Sequence, residues 1–214
     1  MDAFIDRTLT LVKRVYDELP PAELSWCFGT AGVELAKLVI DGTIQRGSVV
    51  VDLGCGNGVE ASFLAVQGMR VIGLDLVPGA LRAARALARH YGVKPSLVRG
   101  DILSVPLRTG FADVVNDSFI FHNLRDEARP IYAREVFRLL RPGKLFILRS
   151  FSDRMEPGNG PRRIASEEIL STFMPYFQCE HLSLFRNFPT EKKPDQLHWF
   201  SLWRRKEDRD VSCG

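Results

Sequence analysis

Cysteine is scarce in this 214-residue chain: Cys27, Cys55, Cys179 and Cys213 are scattered, with no Cys-x-x-Cys pair and no histidine at zinc-ligand spacing. That excludes a disulfide scaffold and argues against a metal site, so no metal and a reducing, cytoplasmic setting are expected. Long apolar runs are also missing. No stretch approaches the ~18 apolar residues of a membrane span, and Met1-Asp2-Ala3-Phe4-Ile5-Asp6-Arg7 does not read as a signal peptide. Charge of one sign is lacking too: 29 basic against 26 acidic side chains leave a net charge of +3. Without a concentrated basic face, nucleic acid is not an expected partner. No internal repeat is present.

What is there alternates. Apolar runs at 48–53, 70–75, 96–99, 112–116 and 144–150 read as strands, with helical periodicity between them at 59–67, from Pro78 to Gly92 and at 126–140. Strands buried on both faces and separated by amphipathic helices imply an α/β fold with a doubly wound, mostly parallel sheet. Helical spacing at 2–18 and 32–40 precedes this unit, and 180–186 and 197–204 alternate as an antiparallel pair at the sheet edge. A chain of this length suits one domain. It divides into a helical lid segment over 1–45, a core over 46–204 and a polar, solvated tail over 205–214.

The segment Val49-Val50-Val51-Asp52-Leu53-Gly54-Cys55-Gly56-Asn57-Gly58 carries the chemistry. A glycine-rich turn between strand and helix ordinarily cradles phosphate. Asp52 argues against that, because a carboxylate at the mouth of the turn repels a pyrophosphate and favours a ligand bearing an ammonium and a sulfonium, as S-adenosylmethionine does. The spacing agrees: a dinucleotide fingerprint wants a third glycine at the sixth position, where this chain has Val59. Asp75, at the end of the second strand, is placed to accept hydrogen bonds from ribose hydroxyls.

With this turn, Asp75, Gly100-Asp101 after the third strand and Arg141-Pro142-Gly143-Lys144 before the fifth, the chain resembles the class I S-adenosylmethionine-dependent methyltransferases over residues 48–150. Trp26-Cys27-Phe28-Gly29-Thr30 makes it most similar to the small-molecule branch with the thiopurine and tellurite-resistance enzymes. Lys144 stands where a second glycine is usual, and the tryptophan motif is only partly present. The resemblance implies a Rossmann-like sheet of seven strands closed by an antiparallel C-terminal hairpin. It also implies that Asp52, Gly54, Cys55, Gly56 and Asn57 surround the methionine part of the cofactor, that Asp75 holds the ribose, and that Leu76, Asp101 and Ile102 border the adenine. Asn116 is expected close to the sulfonium, with Trp26, Phe28 and Thr30 closing over the cofactor.

Methyl transfer is a direct displacement in which alignment does most of the work, and a general base is needed only if the acceptor arrives protonated. His122 and Asp117, after the fourth strand, are the candidate bases; Ser150, Ser152 and Asp153 follow the fifth. Arg162 and Arg163 could hold an anionic group on the acceptor, though ordinary surface arginines are commoner. The expected acceptor is a small molecule offering a thiol, hydroxyl, amine or carboxylate, and the protein a monomer or homodimer. A nucleic-acid or protein methyltransferase, a dinucleotide oxidoreductase and a cofactor-binding protein without turnover stay open as alternatives.

Overall fold

The computed structural model describes residues 7–20, 23–24, 26–27, 29–156, 162–186 and 196–211. Phe28, Cys213, residues 157–161 after the fifth strand and residues 187–195 after the sixth lie outside the described residues. Helices α1 (Arg7–Glu18) and α2 (Val33–Ile40) precede β1 (Val49–Leu53), α3 (Val59–Val66), β2 (Arg70–Asp75), α4 (Pro78–His90), β3 (Ser96–Arg99) and β4 (Ala112–Ser118). Then come α5 (Arg129–Leu139), β5 (Leu140–Phe151), α6 (Ser166–Phe173), β6 (Phe177–Arg186) and β7 (Leu197–Arg205).

The seven strands form one sheet in the order β3-β2-β1-β4-β5-β7-β6. Pairing is parallel from β3 to β5, and β7 enters antiparallel between β5 and β6. Every β1 residue is buried because helices cover both faces of the sheet. On one side Val51, Leu53, Val115, Phe146 and Leu148 pack with Tyr132, Phe173 and Trp203; on the other Val50, Val114 and Ile147 pack with Leu35, Leu38 and Leu64. Strand order reverses between β1 and β4, which opens a crevice at their carboxyl ends. Among the described residues no helix is long and apolar enough to cross a membrane.

Three local expectations are corrected. β5 begins at Leu140 rather than 144, because Arg141 and Lys144 both reach Asp113, at 2.5 and 3.5 Å, and carry the strand through an irregular pairing. Ser166-Glu167-Glu168 reads in the sequence as the N-terminal cap of a helix from about Ser166 to Phe173, but Ala165 occupies the cap position of α6, and Glu168 Oε1 accepts its N–H at 3.0 Å. The tail does not begin as a solvated segment: Arg205 is buried, its guanidinium lying 3.7 Å over the Phe137 ring and donating to Phe137 O at 2.9 Å.

Candidate functional site

At the switch point β1 and β4 place Asp52 beside Asn116 in register. Asn116 Nδ2 donates to Asp52 Oδ1 at 2.7 Å and to Glu60 Oε2 at 2.7 Å, while Asn116 Oδ1 is buried with no hydrogen-bond partner among the described residues. Burial pushes the Asp52 carboxyl up to about 6, against the Asn116 hydrogen bond and the Arg149 cation, which both favour the anion. Beyond Leu53 the chain turns with Gly54 and Gly56 at φ of +66° and +54°, which side chains rarely adopt. A Cβ at Gly54 would overlap the Ile120 side chain, and one at Gly56 would come 2.8 Å from Tyr16 Oη.

Asp75 closes the other side. Its carboxylate accepts Gly56 N–H at 2.9 Å and Val77 N–H at 2.8 Å, which ties the glycine turn to the end of β2. Burial raises its pKa in spite of those bonds. Gly58, one place early for a dinucleotide fingerprint, packs α3 on α4: a Cβ there would lie 2.7 Å from Ala84 Cβ. Cys55 fills space under Gly73 and is buried, and burial pushes its thiol pKa up, so it is no nucleophile. Leu76, directly after β2, is half-buried, and Ile102 is buried in the core. Asp101 accepts Leu103 N–H at 2.9 Å, stiffening its own loop.

The amino-terminal segment reaches the same place. Tyr16 of α1 lies over Gly56, and Trp26 Nε1 donates to its hydroxyl at 3.2 Å. Asn57 Nδ2 donates to Cys27 Sγ at 2.8 Å. Thr30 is exposed and Trp26 is 41 % exposed, so neither is committed to the core.

Of the two candidate bases, Asp117 is not brought to the crevice. Strand alternation turns it to the α5 side, where it accepts Ile120 N–H at 2.8 Å, Phe121 N–H at 3.1 Å and Tyr132 O–H at 2.7 Å. Burial lifts its pKa to about 7 against these donors. His122 is buried, stacks on Phe151 at 4.3 Å and accepts Phe151 N–H on Nδ1 at 3.2 Å. Burial first, then the neighbouring His198 and Arg129, hold it down at about 3, so it is neutral, with its proton on Nε2. Of the other candidates, Ser152 accepts Arg154 N–H at 2.9 Å and Ser150 Oγ is buried without a partner among the described residues. Arg162 pairs with Asp126 and Glu168, and Arg163 donates to Glu156 O, so these arginines serve their own loop.

Beyond Asn116, on the crevice face of β4, β5, β6 and β7, rings gather. His198 lies 4.9 Å from Phe119, 5.2 Å from Phe151 and 5.3 Å from Phe185. Phe119 holds φ +68°, a strained position for a large side chain at the end of β4.

Sequence reasoning did not single out Tyr16, Glu60 or Arg149. Glu60 is the one charge in the apolar helix Val59–Val66, and Arg149 the one charge in the apolar stretch from Leu145 to Phe151. A lone charge in an apolar element that must be buried requires a partner, which is the signal that could have found them.

The crevice suits a cationic nucleotide better than a pyrophosphate. Asp52, Glu60 and Asp75 are all buried acids there, and the unpartnered Asn116 Oδ1 is an acceptor available to an ammonium. The family described as a methyltransferase domain matches residues 50–143, the stretch that holds the crevice. Fold, site and match define a methyltransferase. Residues 50–143 are a methyltransferase domain, and the chain around them is similar in sequence and fold to methyltransferases of small molecules.

A relative from Mycobacteroides abscessus, a 2-heptyl-1-hydroxyquinolin-4(1H)-one methyltransferase, is 28% identical over 74% of this chain and 70% of its own. A malonyl-[acyl-carrier protein] O-methyltransferase of Serratia marcescens is 30% identical over 66% of this chain, but the match spans only 54% of that relative. Among solved structures, one reported for the conversion of a disulfide bond into a thioacetal group during echinomycin biosynthesis is 26% identical, with a TM-score of 0.80 over 94% of both chains. The Burkholderia thailandensis 1,6-didemethyltoxoflavin-N1-methyltransferase, with its acceptor and S-adenosylhomocysteine bound, shares the fold at a TM-score of 0.72 and 19% identity, over 94% of this chain and 89% of that one.

Proposed function

We propose that this protein methylates a small, flat, largely apolar acceptor whose attacking atom is already ionised or strongly nucleophilic near neutral pH. The observation that carries this reading is the state of His122, whose Nδ1 is engaged by Phe151 N–H and whose burial keeps it neutral. A ring so held can donate from Nε2 but has no lone pair with which to take a proton. Asp117, saturated on the opposite face, does not replace it. The protein therefore acts by alignment, which can supply about 7 to 11 kcal/mol of the barrier.

Asp52 and the Asn116 acceptor would hold the amino-acid end of S-adenosylmethionine, with Gly54, Cys55, Gly56 and Asn57 along it, Asp75 on the ribose and Leu76, Asp101 and Ile102 at the adenine. When bound, the cofactor supplies a methyl carbon whose bond electrons return to sulfur as the acceptor's lone pair forms the new bond. The amino-terminal segment would act as a lid, with Tyr16 over Gly56, Trp26 hydrogen-bonded to the Tyr16 hydroxyl, and Thr30 exposed. Phe119, Phe151, Phe185 and His198 offer the acceptor a wall of ring faces and edges. Two relatives named above act, by their names, on fused heterocycles, a hydroxyquinolone and a didemethyltoxoflavin.

The test is a series of phenols, thiophenols and N-hydroxy heterocycles of graded acidity, supplied with labelled S-adenosylmethionine across a pH range. The inflection in rate should move with the acceptor's own pKa. An inflection fixed near neutrality for every acceptor would reveal a protein base and overturn the reading.

A further inference from the structure

We propose that the buried Arg149–Glu60 pair is a positioning clasp, fastening the segment that enters α2 onto the cofactor crevice and holding Asn116 and Asp52 in their binding geometry. The inference rests on the reading that Asp52 belongs to the cofactor site.

Both side chains are nearly inaccessible, at 4 % for Arg149 and 11 % for Glu60, and they form a direct ion pair. Glu60 joins three elements at once. Its Oε2 accepts Asn116 Nδ2 at 2.7 Å, and its Oε1 accepts both Arg149 and the backbone N–H of Gly32 at 3.3 Å. Asn116 passes the contact on to Asp52 at 2.7 Å. Arg149 donates to Ser118 Oγ at 2.8 Å and lies 5.6 Å over the Phe119 ring, which fixes the guanidinium at the end of β4.

Gly32 shows what the clasp requires. Its φ of −61° and ψ of 143° are open to any residue, so glycine is not needed for conformation. It is needed for space, because a Cβ there would overlap the Arg149 guanidinium. A buried ion pair is weak support for stability, since well-packed neutral side chains commonly replace one without loss. Its retention here is explained by where it holds the chain: amino-terminal segment, α3, β4 and β5 meet at one carboxylate, two hydrogen bonds from the cofactor acid.

The clasp also sets a charge. On its own face of the sheet Asp52 has Asp75 from β2, Asn116 from β4, Glu60 from α3 and Arg149 from β5; Asp117 and Tyr132, behind the sheet on the α5 side, feel its charge without facing it. Of these Arg149 is the cation, and its field lowers the Asp52 pKa while Asp75 raises it. Moving the guanidinium should therefore shift the pH dependence of cofactor binding upward as well as weaken it, whereas a merely structural part would not move a pH midpoint.

Two variants test this: Gly32→Ala, which displaces the guanidinium by one methyl group, and the double variant Glu60→Gln/Arg149→Met, which replaces the pair with neutral side chains of similar size. S-adenosylhomocysteine binding is measured by titration calorimetry across pH, and the ligand-free thermal midpoint by circular dichroism. The expected result is a dissociation constant raised about tenfold near neutral pH in both variants, an acid limb shifted to higher pH and thermal midpoints close to the parent. Parent-like affinity with a parent-like acid limb in Gly32→Ala, or affinity losses that only track lost thermal stability, would overturn the clasp. Failure of the parent protein to bind S-adenosylhomocysteine at all would instead overturn the assignment of the crevice.

Discussion

Asp52→Asn should make this protein more stable and a poorer binder of its cofactor. Burial raises the Asp52 pKa from 3.8 to about 6, so the folded state prefers the protonated form. The stabilisation linked to that preference is fully present below the ordinary carboxylate range and is lost as pH rises through about 6; at neutral pH the carboxylate is ionised at the expense of the fold. A shift of about two units corresponds to about 3 kcal/mol, which sets the upper bound of the penalty that asparagine removes. In a domain of this size that would raise the melting temperature by at most roughly 6 to 12 °C. Asparagine keeps an oxygen with which to accept Asn116 Nδ2, so the local geometry survives. The binding side has the opposite sign: losing a charge-assisted contact to the cofactor ammonium should weaken affinity by about 1.5 to 3 kcal/mol. In the parent, affinity should fall about tenfold per pH unit below about 6, and in the variant it should be flat there. Scanning calorimetry and titration with S-adenosylhomocysteine read both sides. A variant that is less stable and binds as tightly as the parent, or that retains the acid limb, would refute the reasoning.

Three other changes separate binding from scaffolding. Asp75→Ala should weaken cofactor affinity by about 1 to 3 kcal/mol through lost hydrogen bonds to a charged group, read by the same titration; unchanged affinity would mean the ribose lies elsewhere. Phe119→Gly should fold better than Phe119→Ala by about 1 kcal/mol in urea denaturation, because only glycine adopts φ +68° without strain, while both should raise KM for aromatic acceptors; equal stabilities would mean the backbone relaxes. Tyr132→Phe removes a buried hydroxyl from Asp117 and should lower stability by about 1 to 3 kcal/mol with kcat nearly unchanged; a large fall in kcat would return Asp117 to the chemistry.

The doubly wound core was legible because its signals are local. Apolar runs, the Gly54–Gly58 turn, Pro78 opening α4 and Gly68 and Gly92 closing helices each act within a few residues, and the sheet follows from them. Asp52 and Asp75 were legible for the same reason, each sitting where a strand meets a turn. Arg149 and Glu60, 89 residues apart, meet only through tertiary packing, as do Tyr16 and Gly56, and neither partner's neighbourhood in sequence announces the other. His122 and Asp117 were candidate bases in the sequence because titratable side chains after the fourth strand look available on paper, and their surroundings were not legible there. Strand alternation turns Asp117 to α5, and the backbone N–H of Phe151 occupies the histidine nitrogen that would take a proton. Arg205 was misread as tail because a run of mixed charges says nothing about one guanidinium stacked on Phe137.

The most direct test of the whole account is a crystal structure with S-adenosylhomocysteine bound. The account predicts its ammonium at Asp52 and Asn116, its ribose hydroxyls on Asp75 and its chain along Gly54 to Gly56. Density for the ligand elsewhere, or a dinucleotide pyrophosphate resting on the glycine turn, would contradict it.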